Sequence, residues 1–216
     1  MNDSDNSFED LLLNRPQLPN AEDQLFTIGE DWQNNACINW YHNNWELYAE
    51  GYKEAGDLLV RQIGETRTGQ DTLVYPIIFL YRQYLELMLK SLIQDARKLQ
   101  DIDTPIPLNH KILDLWKLCH QLLVKISPDD AVKELEHINR LIGEFSKIDP
   151  TSMAFRYPQD KEGNPSLPGI THINLRVVGE VIGKISVILN GSSMQISEYL
   201  SIKAELESEY RHDFDI

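Results

Sequence analysis

Hydrophobic positions are densest between Leu73 and Leu99, LVYPIIFLYRQYLELMLKSLIQDARKL, where apolar side chains fall on almost every side of a helical projection. The run is far too long for a strand, and a helix that is apolar all round is a buried one. Its polar residues keep to one face. Arg82, Glu86 and Lys90 recur at a spacing of four and form a single stripe, with Glu86 between two cations. The pattern predicts a central helix with the remaining helices laid around it.

Those neighbours follow from the same periodicity. From Asn35 to Glu65 the residues Trp45, Tyr48, Tyr52, Ala55, Leu59 and Ile63 step by three or four, and with Trp32, Trp40 and Tyr41 they make this the aromatic-rich part of the chain. Aromatic residues at helical spacing are core candidates, with a base-stacking platform as the alternative. ETRTGQD at 65–71 predicts a turn, with Gly69 as breaker and Asp71 or Thr72 as the next cap. Pro76 belongs in the first turn of the central helix, or kinks it if the helix starts earlier.

QDIDTPIPL at 100–108 is a loop. Asn109 is placed to cap a helix from His110 to Ile126, buried through Ile112, Leu115, Trp116, Cys119, Leu122 and Leu123. Ser127 then serves as N-cap and Pro128 as first residue of a helix running to Ser146, with Val132, Leu135, Ile138, Leu141, Ile142 and Phe145 inward. Residues 149–171, with four prolines and two glycines, are irregular, and loops this long inside compact domains are often functional. A helix begins near Asn174, where Leu175, Val178, Ile182, Ile185 and Leu189 favour helical over strand spacing. Gly179 and Gly183 would admit a close neighbour, Asn190-Gly191 would end the helix, and a charged surface helix would follow from Ser197 to Tyr210. The expected fold is all-α, an up-and-down bundle of about five to six helices around a buried central helix.

Charge changes the picture at one end. The net charge is −14, and within residues 1–35 eight acids face one base, Arg15, a balance of −7 that leaves −7 for the rest. This divides the chain into an acidic N-terminal arm, 1–35, and a helical-bundle domain, 36–216. Phe8, Leu11, Leu12 and Leu13 form an amphipathic island in the arm, which reads as a mobile segment or as a short docking helix. The acidic balance argues against a non-specific grip on nucleic acid, although a local basic groove stays open. Cys37 and Cys119 make neither a disulfide framework nor a zinc site, which predicts a reducing compartment. MNDSDNSFEDLL carries acid where a secretory signal carries base, and the apolar run from Leu73 to Leu80 is interrupted by Tyr81, Arg82 and Gln83. The expectation is a cytoplasmic protein with no membrane partner.

No phosphate-cradling glycine loop, nucleophile elbow or HExxH is present. His110 and His120 have no carboxylates at ligand spacing, so neither metal nor cofactor is expected. Cys119 and His120 are adjacent and do not face each other on a helix. The stripe Arg82–Glu86–Lys90 reads as a solvated edge or buried ion network that fixes helix register, or as a polar pocket inside the bundle. Phe155-Arg156-Tyr157-Pro158 is the sharpest pointer: an arginine and a tyrosine in a proline-framed loop can hold a carboxylate or phosphate while stacking on a ring. Alternatively Phe155 and Tyr157 pin the loop and Arg156 pairs with Glu86. The ligand-binding candidates are thus Arg82, Glu86, Lys90, Arg156, Tyr157 and His110.

YLELMLKSLI at 84–93, NHKILDLWKL at 109–118, the proline-rich loop with FRYP and the long last helix together resemble the HEPN superfamily, over roughly residues 40–190. The resemblance implies a helical bundle that commonly dimerises or pairs with a protein of the same operon. It implies a role in prokaryotic toxin–antitoxin, RNA-processing or antiviral defence systems, with RNA or nucleotide as ligand. Active members carry an Arg with a His a few residues downstream, as metal-independent ribonucleases. This chain departs from that: Arg97 precedes His110 by thirteen positions and Arg156 precedes His172 by sixteen. The leading expectation is therefore an accessory member that acts by binding, without nuclease activity. The enzyme alternative uses Arg156 to stabilise a scissile phosphate and His172 as general base on a ribose hydroxyl. A scaffold whose acidic arm docks on a basic partner is the third.

Overall fold

The structure, a computed structural model, describes residues 18–38, 44–127 and 129–214. The island Phe8–Leu13, Trp40, Tyr41 and Pro128 lie outside the described residues. The chain divides between His42 and Asn43 into two units.

Within residues 18–38 local hydrogen bonds replace a core. Asn20 and Asp23 close a turn, with the Asp23 carboxylate accepting from Asn20 N at 2.8 Å. The Asn35 amide bonds both the N–H and the carbonyl of Gly29, each at 2.8 Å, beside a short 3₁₀ helix, Trp32–Asn34. Trp32 is exposed and Cys37 is a free, exposed thiol, so neither joins a core.

The second unit is all-helical among the described residues: α1 (Trp45–Thr66), α2 (Gln70–Leu99), α3 (Ile112–Leu123), α4 (Asp129–Ile148) and α5 (Leu175–Phe214). The sequence pattern places α1 ten residues too early. It starts at Trp45 because Asn44 caps it, its side chain accepting from Leu47 N at 2.9 Å. The aromatic residues of α1 are also not its innermost ones. Trp45 and Tyr52 pack on the core half-buried and Tyr48 is exposed, while Ala49 and Gly56 are buried. Small residues let α1 approach α2 closely. A Cβ on Gly56 would stand 2.8 Å from the Tyr81 ring, whose hydroxyl donates to Asp57 at 2.8 Å.

α2 is the interior helix. Fifteen of its thirty residues are buried, among them Tyr81, Leu85 and Leu89, and Phe79 is half-buried. It packs against α1, α3 and α5. Gly69, at φ 83°, is its N-cap, a left-handed position that glycine adopts without strain. The helix therefore starts before Leu73, and Pro76 lies inside it, where the ring removes one backbone bond.

α3 begins later than expected, at Ile112, because Asn109 spends its side chain on Lys111 N in a local turn, 3.0 Å away. Its predicted inner face is buried as read, and Trp116 Nε1 donates to Asn139 Oδ1 of α4 at 3.1 Å. α4 turns Leu135, Ile138 and Ile142 into the core.

α5 contradicts the expected break. One helix of forty residues runs straight through Asn190-Gly191. An exposed glycine inside a helix costs only about 1 kcal/mol, and the buried neighbours Leu189 and Ile196 hold both sides of it to the core. Gly179 does allow a close approach, with the Tyr81 hydroxyl 3.2 Å from a Cβ placed there, but at Gly183 nothing lies within 4 Å. No helix among the described residues is long and apolar enough to cross a membrane.

Candidate functional site

One face of α2 carries the candidate residues in consecutive turns: Phe79, Arg82, Glu86 and Lys90. The ion network is buried, not a solvated edge. Side chains of Arg82, Glu86 and Lys90 are 0%, 1% and 5% exposed. Arg82 Nη1 donates to Glu86 Oε2 at 3.2 Å, and Lys90 Nζ donates to Oε1 at 2.8 Å. Lys90 also lies 5.6 Å from the centroid of the Trp45 ring, which ties α1 to the same face.

His110 completes the cluster from the segment ahead of α3. Its Nδ1 lies 2.7 Å from Glu86 Oε1, and its carbonyl accepts from Arg82 Nη2. Burial alone would raise the Glu86 pKa. The hydrogen bonds from Lys90 and His110 and the charges of Lys90 and Arg82 outweigh it, holding the carboxyl below its ordinary value. An ionised carboxylate only accepts, so His110 Nδ1 carries the proton in this contact and Nε2 is left free of it. The imidazole itself is 64% exposed. A buried carboxylate thus orients a solvent-facing histidine, an arrangement suited to accepting a hydrogen bond donor or moving a proton.

Asp149, which sequence reading passed over, borders this network. Its charge acts on Arg82, and its Oδ1 accepts from Met153 N at 2.8 Å and Ala154 N at 3.1 Å, folding the start of the proline-rich loop. Asp149 Oδ2, Ser152 Oγ and Arg82 Nε are buried and, among the described residues, have no partner. Buried polar groups are as a rule bonded to protein or ordered water. A Ser or Asp just past a helix end is the turn signal that would have flagged them.

The FRYP loop docks one turn before Arg82. Phe155 is buried and anchors it. Arg156 stays exposed, with its guanidinium 5.6 Å from the Phe79 ring and 5.4 Å from the Tyr157 ring. Phe79 in turn meets Tyr52 edge-on at 6.5 Å, so rings from α1, α2 and the loop stand in series. The expected pairing of Arg156 with Glu86 is not made: Glu86 is already held by Arg82, Lys90 and His110, and the Arg156 contact is to Met153 Sδ at 2.9 Å. Among the described residues no carboxylate pairs with Arg156.

The structure therefore brings Arg82, Glu86, Lys90 and His110 together and sets Arg156 with Tyr157 beside Phe79. His172 lies exposed in the stretch before α5, and no hydrogen bond joins it to Arg156. Burial raises the Cys119 pKa strongly, which leaves that thiol unreactive. No family model, curated protein or solved structure matches the chain.

Proposed function

We propose that this chain is a HEPN-like helical bundle that binds single-stranded RNA or a nucleotide. It would serve as a nuclease-inactive accessory member of a prokaryotic RNA-related, toxin–antitoxin or defence module, as a homodimer or with a partner of the same operon. The observation that carries the reading is Arg156. An exposed guanidinium stacked by two rings and not neutralised by an acid offers a phosphate contact, and half-exposed Tyr157 offers a stacking face. The charges of Arg82, Glu86 and Lys90 are paired with one another, so they support the site's shape more than they attract a ligand.

Fluorescence anisotropy with a labelled single-stranded RNA tests this. Arg156→Ala should weaken binding and flatten its salt dependence. Tyr157→Ala should cost about 1–3 kcal/mol, as expected for one stacked base. Absence of salt-dependent binding in the parent protein overturns the reading. A catalytic reading has one observation in its favour, the Glu86-oriented imidazole of His110. RNA cleavage that disappears in His110→Ala would establish it, and cleavage lost in both Arg156→Ala and His172→Ala would instead assign those two residues.

A further inference from the structure

Between α4 and α5 the bundle does not close. A cavity of about 250 Å³ opens there. Its lining includes Leu85 of α2, Ile142 and Phe145 of α4, Phe155 of the proline-rich loop, and Val181 and Ile182 of α5. The one charged residue in its lining is Glu144, whose carboxylate is already paired with Arg140. No polar group in the wall is free to orient a charged ligand.

Unfilled apolar space costs stability in proportion to its volume, because the lining atoms lose contacts that a close-packed core would supply. An apolar cavity of roughly 150 Å³ holds benzene, and drug-sized ligand sites begin at about 300 Å³. This one falls between, and it opens to solvent at Val177, so a ligand can enter without unfolding the bundle. We infer that the α4–α5 cavity is a binding site for a small uncharged hydrocarbon group, one or two rings or a short aliphatic chain, separate from the polar cluster on α2. Charge argues for neutrality: a carboxylate ligand would face Glu144, and an ammonium ligand would have to displace Arg140 from it. Phe155 forms part of this wall while the next residue, Arg156, faces out from the same loop.

Titration of the full chain with the neutral fluorophore N-phenyl-1-naphthylamine tests the inference. Saturable binding of one probe per chain is expected, with a rise in Tm as probe is added. Val181→Phe fills the cavity and should weaken binding at least tenfold while keeping the helical spectrum. Val177→Trp, at the exposed mouth, should do the same and guards against misfolding of the first variant. Lack of saturable binding, or equal binding by both variants, overturns the site. So does a dimer that Val177→Trp converts to monomer, since a second copy would then be the occupant. Tighter binding of dodecanoate or dodecyltrimethylammonium than of the neutral probe overturns the ligand class.

Discussion

Glu86 is where a single side chain decides most. It neutralises two buried cations and orients an exposed histidine. Removing one partner of a buried ion pair costs about 3–5 kcal/mol, because the other charge is left in a low-dielectric interior. Glu86→Gln should therefore lower Tm by on the order of 10 °C in a chain of this size, read by circular dichroism. Replacing all three charges together with apolar residues of similar volume should cost less than that one change. The Glu86 pKa is depressed in the folded chain, so the unfolded chain takes up the proton first as acid is added. Its contribution is complete above about 4.5, its ordinary value, and is lost as pH falls through the lower folded value. Urea unfolding at pH 7 and in the acid range should show this loss in the parent protein and not in Glu86→Gln. The glycines give a second contrast. Gly56→Ala drives a methyl into the Tyr81 ring and should destabilise by about 1–3 kcal/mol despite better helix propensity. Gly183→Ala meets nothing within 4 Å and should stabilise by about 0.5–1 kcal/mol.

Elements were legible in proportion to how strongly their periodicity constrained them. The interior helix could be read because an all-round apolar run with one polar stripe has few other solutions, and α3 and α4 because their inner faces repeat cleanly. The extent of α5 was not legible. Asn190-Gly191 has the composition of a terminus, and the packing of Leu189 and Ile196 that overrides it is tertiary. If α5 is one element, Gly191→Pro should cost about 3 kcal/mol or more by breaking it, measured by thermal unfolding, whereas a terminus at that point would absorb the change. The polar stripe was equally visible as a set of residues. Its link to His110 was not, because the two are separated by a loop whose path no spacing rule gives. Asp149 carried a turn signal past the helix end, but its approach to Arg82 was hidden for the same reason, and the expected Arg156–Glu86 pair failed because nearer cations had filled that carboxylate.

At the scale of the molecule, every fully buried core residue among the described ones lies at Ala49 or beyond. Residues 43–216 should accordingly fold without those before them, giving a cooperative helical melt within a few degrees of the full chain. One side chain bridges the bundle with a consequence for its biosynthesis. Lys203 of α5 donates to the carbonyls of Lys98 and Leu99, 3.4 and 3.2 Å away, and so caps the far end of α2. The donor sits 104 residues after Leu99. A ribosome making the chain from its first residue releases the greasy interior rod long before its last cover and its closing clasp. For that interval the nascent bundle presents an open seam, and pulse-labelled chains stalled before residue 203 should be caught by chaperones that let the finished chain go.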